Sequence, residues 1–168
     1  MRAQQRLFAR FINQLKPGEL TWIGLRPEKR TAMQVVERAI AHQGLGLEGD
    51  HRSTKSIGSA RQVTLISEEY IAQIAHFCGA EVVPQILRRN LVVKGINLSA
   101  LRHQQFQIGE AIFEATALCH PCSRMERALG PGGVAAMLGH GGLCAKVLQG
   151  GEIALGDALI PLAPQELE

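Results

Sequence analysis

Short apolar runs separated by glycine, proline and charged residues make up most of the chain after residue 18. Residues 20–25, 62–66 and 91–93 are rich in aliphatic side chains and end at breakers or charges, which is typical of strands. The same pattern predicts strands at residues 31–41, 106–108, 111–117, 143–148 and 153–160, although residues 31–41 also fit a helix. The predicted fold class is therefore mainly β with α (α+β), a barrel-like domain with peripheral helices.

Helical spacing is restricted to a few segments. Residues 1–16 place five apolar side chains on one side of a helix, namely Leu7, Phe8, Phe11, Ile12 and Leu15. Such a basic amphipathic helix either targets or anchors a protein or packs on its domain, and the ordinary spacing favours packing. We therefore expect a packing helix at residues 1–18 and one main domain at 19–168. Further helices are predicted after Ser67 and at residues 121–129, where proline suits the first turn.

Composition narrows the class of protein. A chain of 168 residues with 46% hydrophobic content can build one self-sufficient core. Its net charge of +3 comes from scattered residues, and aromatic residues make up only 4% of the chain, so no nucleic-acid partner is indicated. No apolar run approaches the roughly 20 residues of a membrane span. We expect a soluble, cytoplasmic protein with no membrane partner.

The four cysteines include a C-x-x-C segment, Cys119 to Cys122. A cysteine reacts or binds metal as its thiolate, which a helix N-terminus and nearby cations stabilise. Cys122 would lie in the first turn of the predicted helix, with His120 and Arg124 close in sequence. It is the candidate catalytic and metal-binding residue.

The cysteine spacing alone leaves several interpretations open. Cys122 could be a single soft ligand or a sulfur carrier. A zinc site is the second possibility, because Cys119, Cys122, His140 and Cys144 spell C-x2-C-x17-H-x3-C. The others are a dithiol redox pair and a pair of inert buried thiols.

Cations at predicted strand boundaries suit a phosphorylated ligand. Arg88 and Arg89 precede one strand and Arg61 begins another, so their guanidinium groups could reach anionic oxygens. Asp50 and Asp157 each follow a glycine and could act as catalytic carboxylates, but a turn-forming role is the commoner explanation for such residues.

Six ordered segments together resemble the MOSC domain, named from the C-terminal part of molybdenum cofactor sulfurases. They are GLEGD at 46–50, RQVTLI at 61–66, RRNL at 88–91, CHPC at 119–122, GGL at 141–143 and GGEIALGD at 150–157. The resemblance covers roughly residues 20–162 and is to the small stand-alone bacterial type. It implies a MOSC-type β-barrel-like fold and a site built around the second cysteine of CHPC.

The resemblance also implies a cofactor and a ligand set. In relatives that reduce N-hydroxylated compounds, the cysteine matching Cys122 binds molybdenum held by the pterin dithiolene. The residues matching Arg88 and Asn90 hold the pterin phosphate, and the one matching His120 lies at the cofactor. Larger relatives use a separate N-terminal domain for part of the pterin contacts, and here one or more of Arg26, Lys29, Arg30 and Arg52 would replace it. Arg52 and Arg61 complete the predicted cofactor-binding set.

The leading hypothesis is therefore a protein that binds molybdenum cofactor through Cys122 and reduces N-hydroxylated compounds with electrons from a separate reductase. The close alternative is a non-redox sulfur carrier in cofactor or metal-sulfur assembly, supplied by a cysteine desulfurase or sulfurase partner. Pyridoxal phosphate would belong to that partner, since no lysine here has a suitable context. A zinc-stabilised binding module is the third hypothesis.

Overall fold

The computed structural model describes residues 3–55 and 57–164. Its strands are β1 (Gly18–Leu25), β2 (Gln34–Val36), β3 (Arg38–His42), β4 (Gly46–Leu47), β5 (Val63–Ser67), β6 (Leu91–Lys94), β7 (Gln105–Ile108), β8 (Ala111–Leu118), β9 (Leu143–Gln149), β10 (Gly151–Ala154) and β11 (Ala158–Leu162). Its helices are α1 (Ala3–Ala9), α2 (Arg52–Lys55), α3 (Glu68–Cys78), α4 (Pro84–Leu87), α5 (Ser123–Leu129) and α6 (Gly133–Met137), with 3₁₀ turns at Ile12–Gln14 and Leu98–Leu101.

Seven of these strands close into a barrel in the order β11, β7, β8, β9, β5, β6, β1, with β1 pairing back onto β11. Strand β2 adds to β1, and only β5 and β6 run parallel. A second, three-stranded sheet contains β10, β3 and β4. The prediction of a mainly β, barrel-like domain with peripheral helices is confirmed.

The barrel interior is filled by alternate side chains of its strands, as the period of two requires. Phe106 of β7 and Phe113 of β8 are registered partners, and their rings stack with centroids 5.4 Å apart. A second apolar cluster lies between the outer face of β5 and β6 and the helices, and it includes Ile66, Ile74 and Leu87. Helix α3 begins as predicted, because the side chain of Ser67 accepts a hydrogen bond from the Tyr70 amide.

Two predicted elements differ in detail. The stretch 31–41 is strand, but Glu37 interrupts it, so β2 joins the barrel and β3 joins the small sheet. The stretch 153–160 divides in the same way at the turn that contains Gly156 and Asp157. The Asp157 carboxylate accepts the Ala154 amide there at 2.8 Å, the turn-forming role expected of it.

The N-terminal segment is less regular than the predicted helix of residues 1–16. Helix α1 ends at Ala9, and Ile12 in the following 3₁₀ turn is buried in the barrel core. Leu7 and Phe11 remain 51% and 53% exposed. Residues 1, 2 and 165–168 lie outside the described part of the chain, and the division into a helix at 1–18 and a domain at 19–168 remains a prediction.

None of the helices in the described ranges is both long enough and apolar enough to span a membrane.

Candidate functional site

A cavity of about 480 Å³ opens where β5, β8 and β9 come together with the segments that precede β6 and α5. Eight cationic side chains line it, seven arginines and one lysine, namely Arg26, Lys29, Arg30, Arg52, Arg61, Arg88, Arg89 and Arg124. Among the described residues that line it there is no carboxylate. A volume of this size fits a small molecule or cofactor, and the lining charge selects an anionic one.

Asn90 forms the centre of a buried hydrogen-bond network below the cavity. Its side-chain oxygen accepts from Arg26 Nη2 at 2.8 Å and from the Thr64 amide at 3.1 Å. Its side-chain nitrogen donates to Asp50 Oδ2 at 2.8 Å and to the Gly24 carbonyl at 3.0 Å. Asn90 is only 1% exposed. Its amide is therefore fully used by the protein, and Asn90 positions its neighbours instead of lining the cavity.

Arg26 and Asp50 form a buried ion pair in this network. Arg26 Nε donates to Asp50 Oδ2 at 2.9 Å, and the Arg26 amide donates to the same oxygen at 3.0 Å. Burial opposes ionisation of Asp50, but the hydrogen bonds and charge of Arg26 outweigh it and hold the carboxyl pKa below its usual range. Asp50 thus fixes the direction of Arg26, a role that goes beyond the turn expected from its Gly49-Asp50 context.

Arg88 and Arg89 have different surroundings although they are adjacent. Arg89 is buried, and its guanidinium donates to the carbonyls of Gly141 at 2.9 Å and Leu87 at 2.8 Å, with Cys119 at 3.4 Å. It therefore holds the strand end that carries Cys119 against the glycine loop. Arg88 adopts a left-handed conformation (φ 54°) at the end of α4 and donates from Nη1 to the Thr31 carbonyl at 2.6 Å.

The cations of the cavity lie close enough to influence one another. Burial, together with the positive charges of Arg26 and Arg124, holds the pKa of the Arg88 guanidinium below its usual range. Arg88 stays protonated at any physiological pH, so the effect is an electrostatic cost to the empty cavity. A bound anion would remove that cost.

Glycines at 141 and 142 bring the loop before β9 against β5 and against Cys119, which follows the end of β8. A Cβ on Gly142 would overlap the Leu65 carbonyl oxygen, and one on Gly141 would overlap the Cys119 carbonyl oxygen. Gly142 also has a φ of 89°, which other residues rarely adopt. Its carbonyl accepts the Cys119 amide at 2.8 Å. The Gly-Gly pair thus sets the position of Cys119 at the cavity.

Cys122 is the N-cap residue of α5, whereas the sequence predicted it inside the first turn of a helix that starts at residue 121. Its φ of −129° and ψ of 175° are extended, as is usual for an N-cap residue, and Pro121 precedes the helix instead of starting it. The thiol is free, exposed and part of the cavity lining. His120, also exposed, lines the same wall. A ligand in the cavity can therefore reach both side chains.

Cys119 and Cys144 form a second, more buried thiol pair beside the same cavity. The hydrogen bond from the Cys144 thiol lowers the pKa of Cys119 to about 6, against the opposing effect of burial and with help from the charges of Arg89 and Arg61. The same hydrogen bond, together with burial, raises the pKa of Cys144. Cys119 is thus more acidic than an ordinary cysteine thiol.

The structure brings five of the six predicted site residues to one cavity, Arg52, Arg61, Arg88, His120 and Cys122. The sixth, Asn90, lies in the network below. Asp50 was missed as a buried partner of Arg26, and the only sequence signal for it was its place in the ordered motifs. Arg26, Lys29 and Arg30 were named only as alternatives to Arg52, and all four line the cavity.

The zinc hypothesis is wrong. The ring of His140 packs against Tyr70, with centroids 5.4 Å apart, and stacks on Phe77 at 6.0 Å. His140 is not part of the cavity that Cys119, Cys122 and Cys144 line. Across residues 3–55 and 57–164, no three His, Cys, Asp or Glu side chains are grouped to hold a metal ion. The C-x2-C and H-x3-C halves match zinc spacing, but the fold separates the histidine from the cysteines.

A sequence model described as the MOSC domain matches residues 52–160, which is more than half of the chain. The chain belongs to the MOSC domain family. A comparison with curated proteins finds no significant match. The matched range of the MOSC domain contains Cys119, Cys122, Arg88 and Asn90, and it begins just after the Arg26–Asp50 pair.

Solved structures share the fold of this MOSC domain at low sequence identity. YuaD from Bacillus subtilis is 19% identical with a TM-score of 0.73, and the match covers 86% of this chain and 95% of that one. YiiM from Geobacillus stearothermophilus is 17% identical with a TM-score of 0.70, covering 87% and 75%. YiiM from Escherichia coli is 20% identical with a TM-score of 0.65, covering 86% and 69%. These similarities establish the fold.

Proposed function

We propose that this MOSC domain binds molybdenum cofactor, with the Cys122 thiolate as the protein ligand to molybdenum. The observation that carries the proposal is the placement of an exposed, unbridged thiol on the wall of a cavity lined by eight cations. A soft thiolate suits a thiophilic metal. A phosphate monoester carries about −1.5 to −2 charges at pH 7 and is a preferred partner of arginine.

The residues present fit this group in chemistry. The Arg88 side chain makes one hydrogen bond to the residues that the structure describes, through Nη1, and its other donors are available to a phosphate. Arg52 and Arg61 line the same cavity without a hydrogen bond from their guanidinium groups to a described residue. The buried network of Asn90, Asp50 and Arg26 holds one side of the cavity in place, so Asn90 acts as a positioning residue in this proposal.

For the reaction, we propose reduction of N-hydroxylated compounds, in which R–NH–OH, two electrons and two protons give R–NH₂ and water. The bound cofactor would supply the two-electron chemistry. The chain's own residues hold the anionic parts of the site, present the thiolate of Cys122, and place the His120 imidazole where it can donate or accept a hydrogen bond. The electrons come from a separate donor protein.

The test compares wild-type protein with Cys122→Ser and the matched variant Cys78→Ser, all expressed in a host that makes the cofactor. Cys78 packs on the helix cluster and does not line the cavity. We expect one molybdenum and one pterin per chain in wild type and Cys78→Ser, and loss of molybdenum in Cys122→Ser. If folded Cys122→Ser retained molybdenum, Cys122 would not be the protein ligand to the metal.

A sulfur carrier is the second candidate, and the exposure of Cys122 favours it because a partner protein could reach the thiol directly. A persulfide on the partner's cysteine would pass its outer sulfur to the Cys122 thiolate, leaving the partner as thiolate and Cys122 as persulfide. The partner would be a desulfurase that carries its own pyridoxal phosphate. Mass spectrometry of the purified protein distinguishes the two: one added sulfur on Cys122 without molybdenum supports the carrier.

A further inference from the structure

The cavity contains more positive charge than one cofactor phosphate requires. Asp50 neutralises Arg26, and Arg89 is bound to carbonyl groups, but six other cations remain in the lining. A phosphate monoester supplies about −1.5 to −2 charges at pH 7, and the thiolates of Cys122 and Cys119 would add two more. About two of those six cations are therefore left for another ligand.

Three of those cations are exposed and are not among the arginines proposed to hold the phosphate, and we call them the rim cations: Lys29, Arg30 and Arg124. None of their side chains has a hydrogen bond or ion pair with another residue in the described ranges. They come from two segments that face the cavity, the loop between β1 and β2 and the start of α5.

The geometry places the rim cations beside the thiol that would hold the metal. Arg124 is two residues after Cys122 in the first turn of α5. The loop that carries Lys29 and Arg30 is held over the cavity by Arg88, which donates to the carbonyl of Thr31. A substrate that binds at Cys122 therefore lies in a cavity whose lining includes these three charges.

We propose that the substrates of this site carry an anionic group, a phosphate or carboxylate, that the rim cations recognise, and that cationic N-hydroxylated compounds are rejected. This inference rests on the proposed reductase function and adds a substrate class to it. The physical reason is the electrostatic potential of a concave surface with one sign of charge, which attracts anions and repels cations. Both effects weaken with salt because the rim is exposed.

Three benzamidoximes that differ only in the para substituent provide the test: a carboxylate, a neutral methyl group and a cationic aminomethyl group. Each is reduced from the amidoxime to the amidine and water by two electrons from reduced viologen and two protons. We expect kcat/KM to fall in that order, by about tenfold from the carboxylate to the methyl compound. Because the same donor reduces all three compounds, the ratio of their kcat/KM values does not depend on how the charge of the protein affects that donor.

Arg30→Gln and Arg124→Gln should each lower the carboxylate-to-methyl ratio by about two- to five-fold, the usual size of an exposed charge interaction. Lys16→Gln is the matched control, because Lys16 is exposed and does not line the cavity, and it should leave the ratio unchanged. Equilibrium dialysis of the same compounds against wild type and variants gives the charge preference without turnover.

Equal kcat/KM for the three compounds, or a preference for the cationic one, would overturn the inference and leave the reductase proposal standing. A ratio that stays at the wild-type value in both rim variants would also overturn it. If none of the compounds is reduced, the reductase proposal fails, and dialysis still decides the inference: tighter binding of the carboxylate that weakens in Arg30→Gln supports it, and equal binding contradicts it.

Discussion

The two sides of the cavity use the same residue types in opposite ways. On the inner side, which we call the polar floor, Arg26, Asp50, Asn90 and Arg89 are buried, and their polar groups are paired with other protein groups. On the outer side, Cys122 and the rim cations are exposed, without such partners in the described ranges. The comparison teaches that a charged residue at a site is a candidate for binding a ligand only when its hydrogen-bond donors are not already paired with protein groups. The polar floor should govern stability, and the outer side should govern binding.

Loss of the Asp50 carboxylate should have the largest effect on stability. Asp50→Ala leaves the Arg26 charge buried and unpaired, which lowers the free energy of unfolding by about 3–5 kcal/mol. Urea denaturation measures the change. If the alanine variant fails to fold, Asp50→Asn keeps the shape and removes only the charge. A loss below about 1 kcal/mol in either variant would contradict a structural role for the pair.

The same ion pair predicts a pH dependence. The folded-state pKa of Asp50 is below the ordinary value of 3.8, so its contribution to stability is complete above that value and is lost as pH falls through the folded-state pKa. Wild type should therefore lose stability in acid more steeply than Asp50→Asn. Parallel stability profiles for the two proteins below pH 4 would refute this account.

Asn90→Ala should have the next largest effect. It leaves the Thr64 amide and the Gly24 carbonyl without their Asn90 partners, and a buried unsatisfied group costs about 1–3 kcal/mol. Because Arg26 also loses a partner, its guanidinium should become less ordered, and the cofactor should be retained less well. Thermal unfolding and molybdenum content measure the two effects. Full stability with loss of cofactor would instead make Asn90 a direct ligand.

Cys144→Ala should change the pKa of the Cys119 thiol, and it should lower stability less than Asn90→Ala does. Without the donated hydrogen bond, the pKa of the Cys119 thiol should rise from about 6 towards the ordinary value of 9.0. In wild type, the contribution of Cys119 to stability grows as pH rises from about 6 to 9.0. Above 9.0 the unfolded Cys144 ionises while the folded one keeps its proton, so stability declines again.

Thiolate absorbance in the ultraviolet, compared between wild type, Cys119→Ser and Cys144→Ala, tests this assignment. The titration near pH 6 should disappear in Cys119→Ser and shift to higher pH in Cys144→Ala. A titration that disappears in Cys122→Ser instead would assign the acidic thiol to the exposed cysteine.

Cys122→Ser should have the smallest effect on stability. The residue is exposed and its side chain does not cap α5 by a hydrogen bond, so the free energy of unfolding should change by no more than about 0.5 kcal/mol. Urea denaturation without cofactor gives the comparison with Asp50→Ala. A large loss of stability would mean that Cys122 has structural contacts that its exposure does not indicate.

Local patterns predicted the barrel strands well, because the alternation of apolar residues and the positions of turn residues depend only on residues that are close in sequence. The helix start near Cys122 was predicted to within two residues for the same reason. The shared cavity of Arg61, Arg88 and Cys122 followed from the ordered motifs of the family, since spacing alone left several interpretations of Cys122 open.

What the sequence could not show depends on distant pairs. Arg26 meets Asp50 and Asn90 across separations of 24 and 64 residues, and nothing in the local context of a Gly-Asp turn predicts a buried ion pair. The zinc pattern failed for the same reason, because the fold places His140 against Tyr70. The acidity of Cys119 also depends on a partner in another strand, Cys144.

Molybdenum and pterin content of wild type and Cys122→Ser, measured on protein from a cofactor-competent host, tests the central claim most directly. The account predicts one molybdenum and one pterin per chain in wild type, and a folded Cys122→Ser protein that is as stable as cofactor-free wild type and has lost molybdenum. Wild-type protein with neither molybdenum nor pterin, or a variant that keeps both, would contradict it.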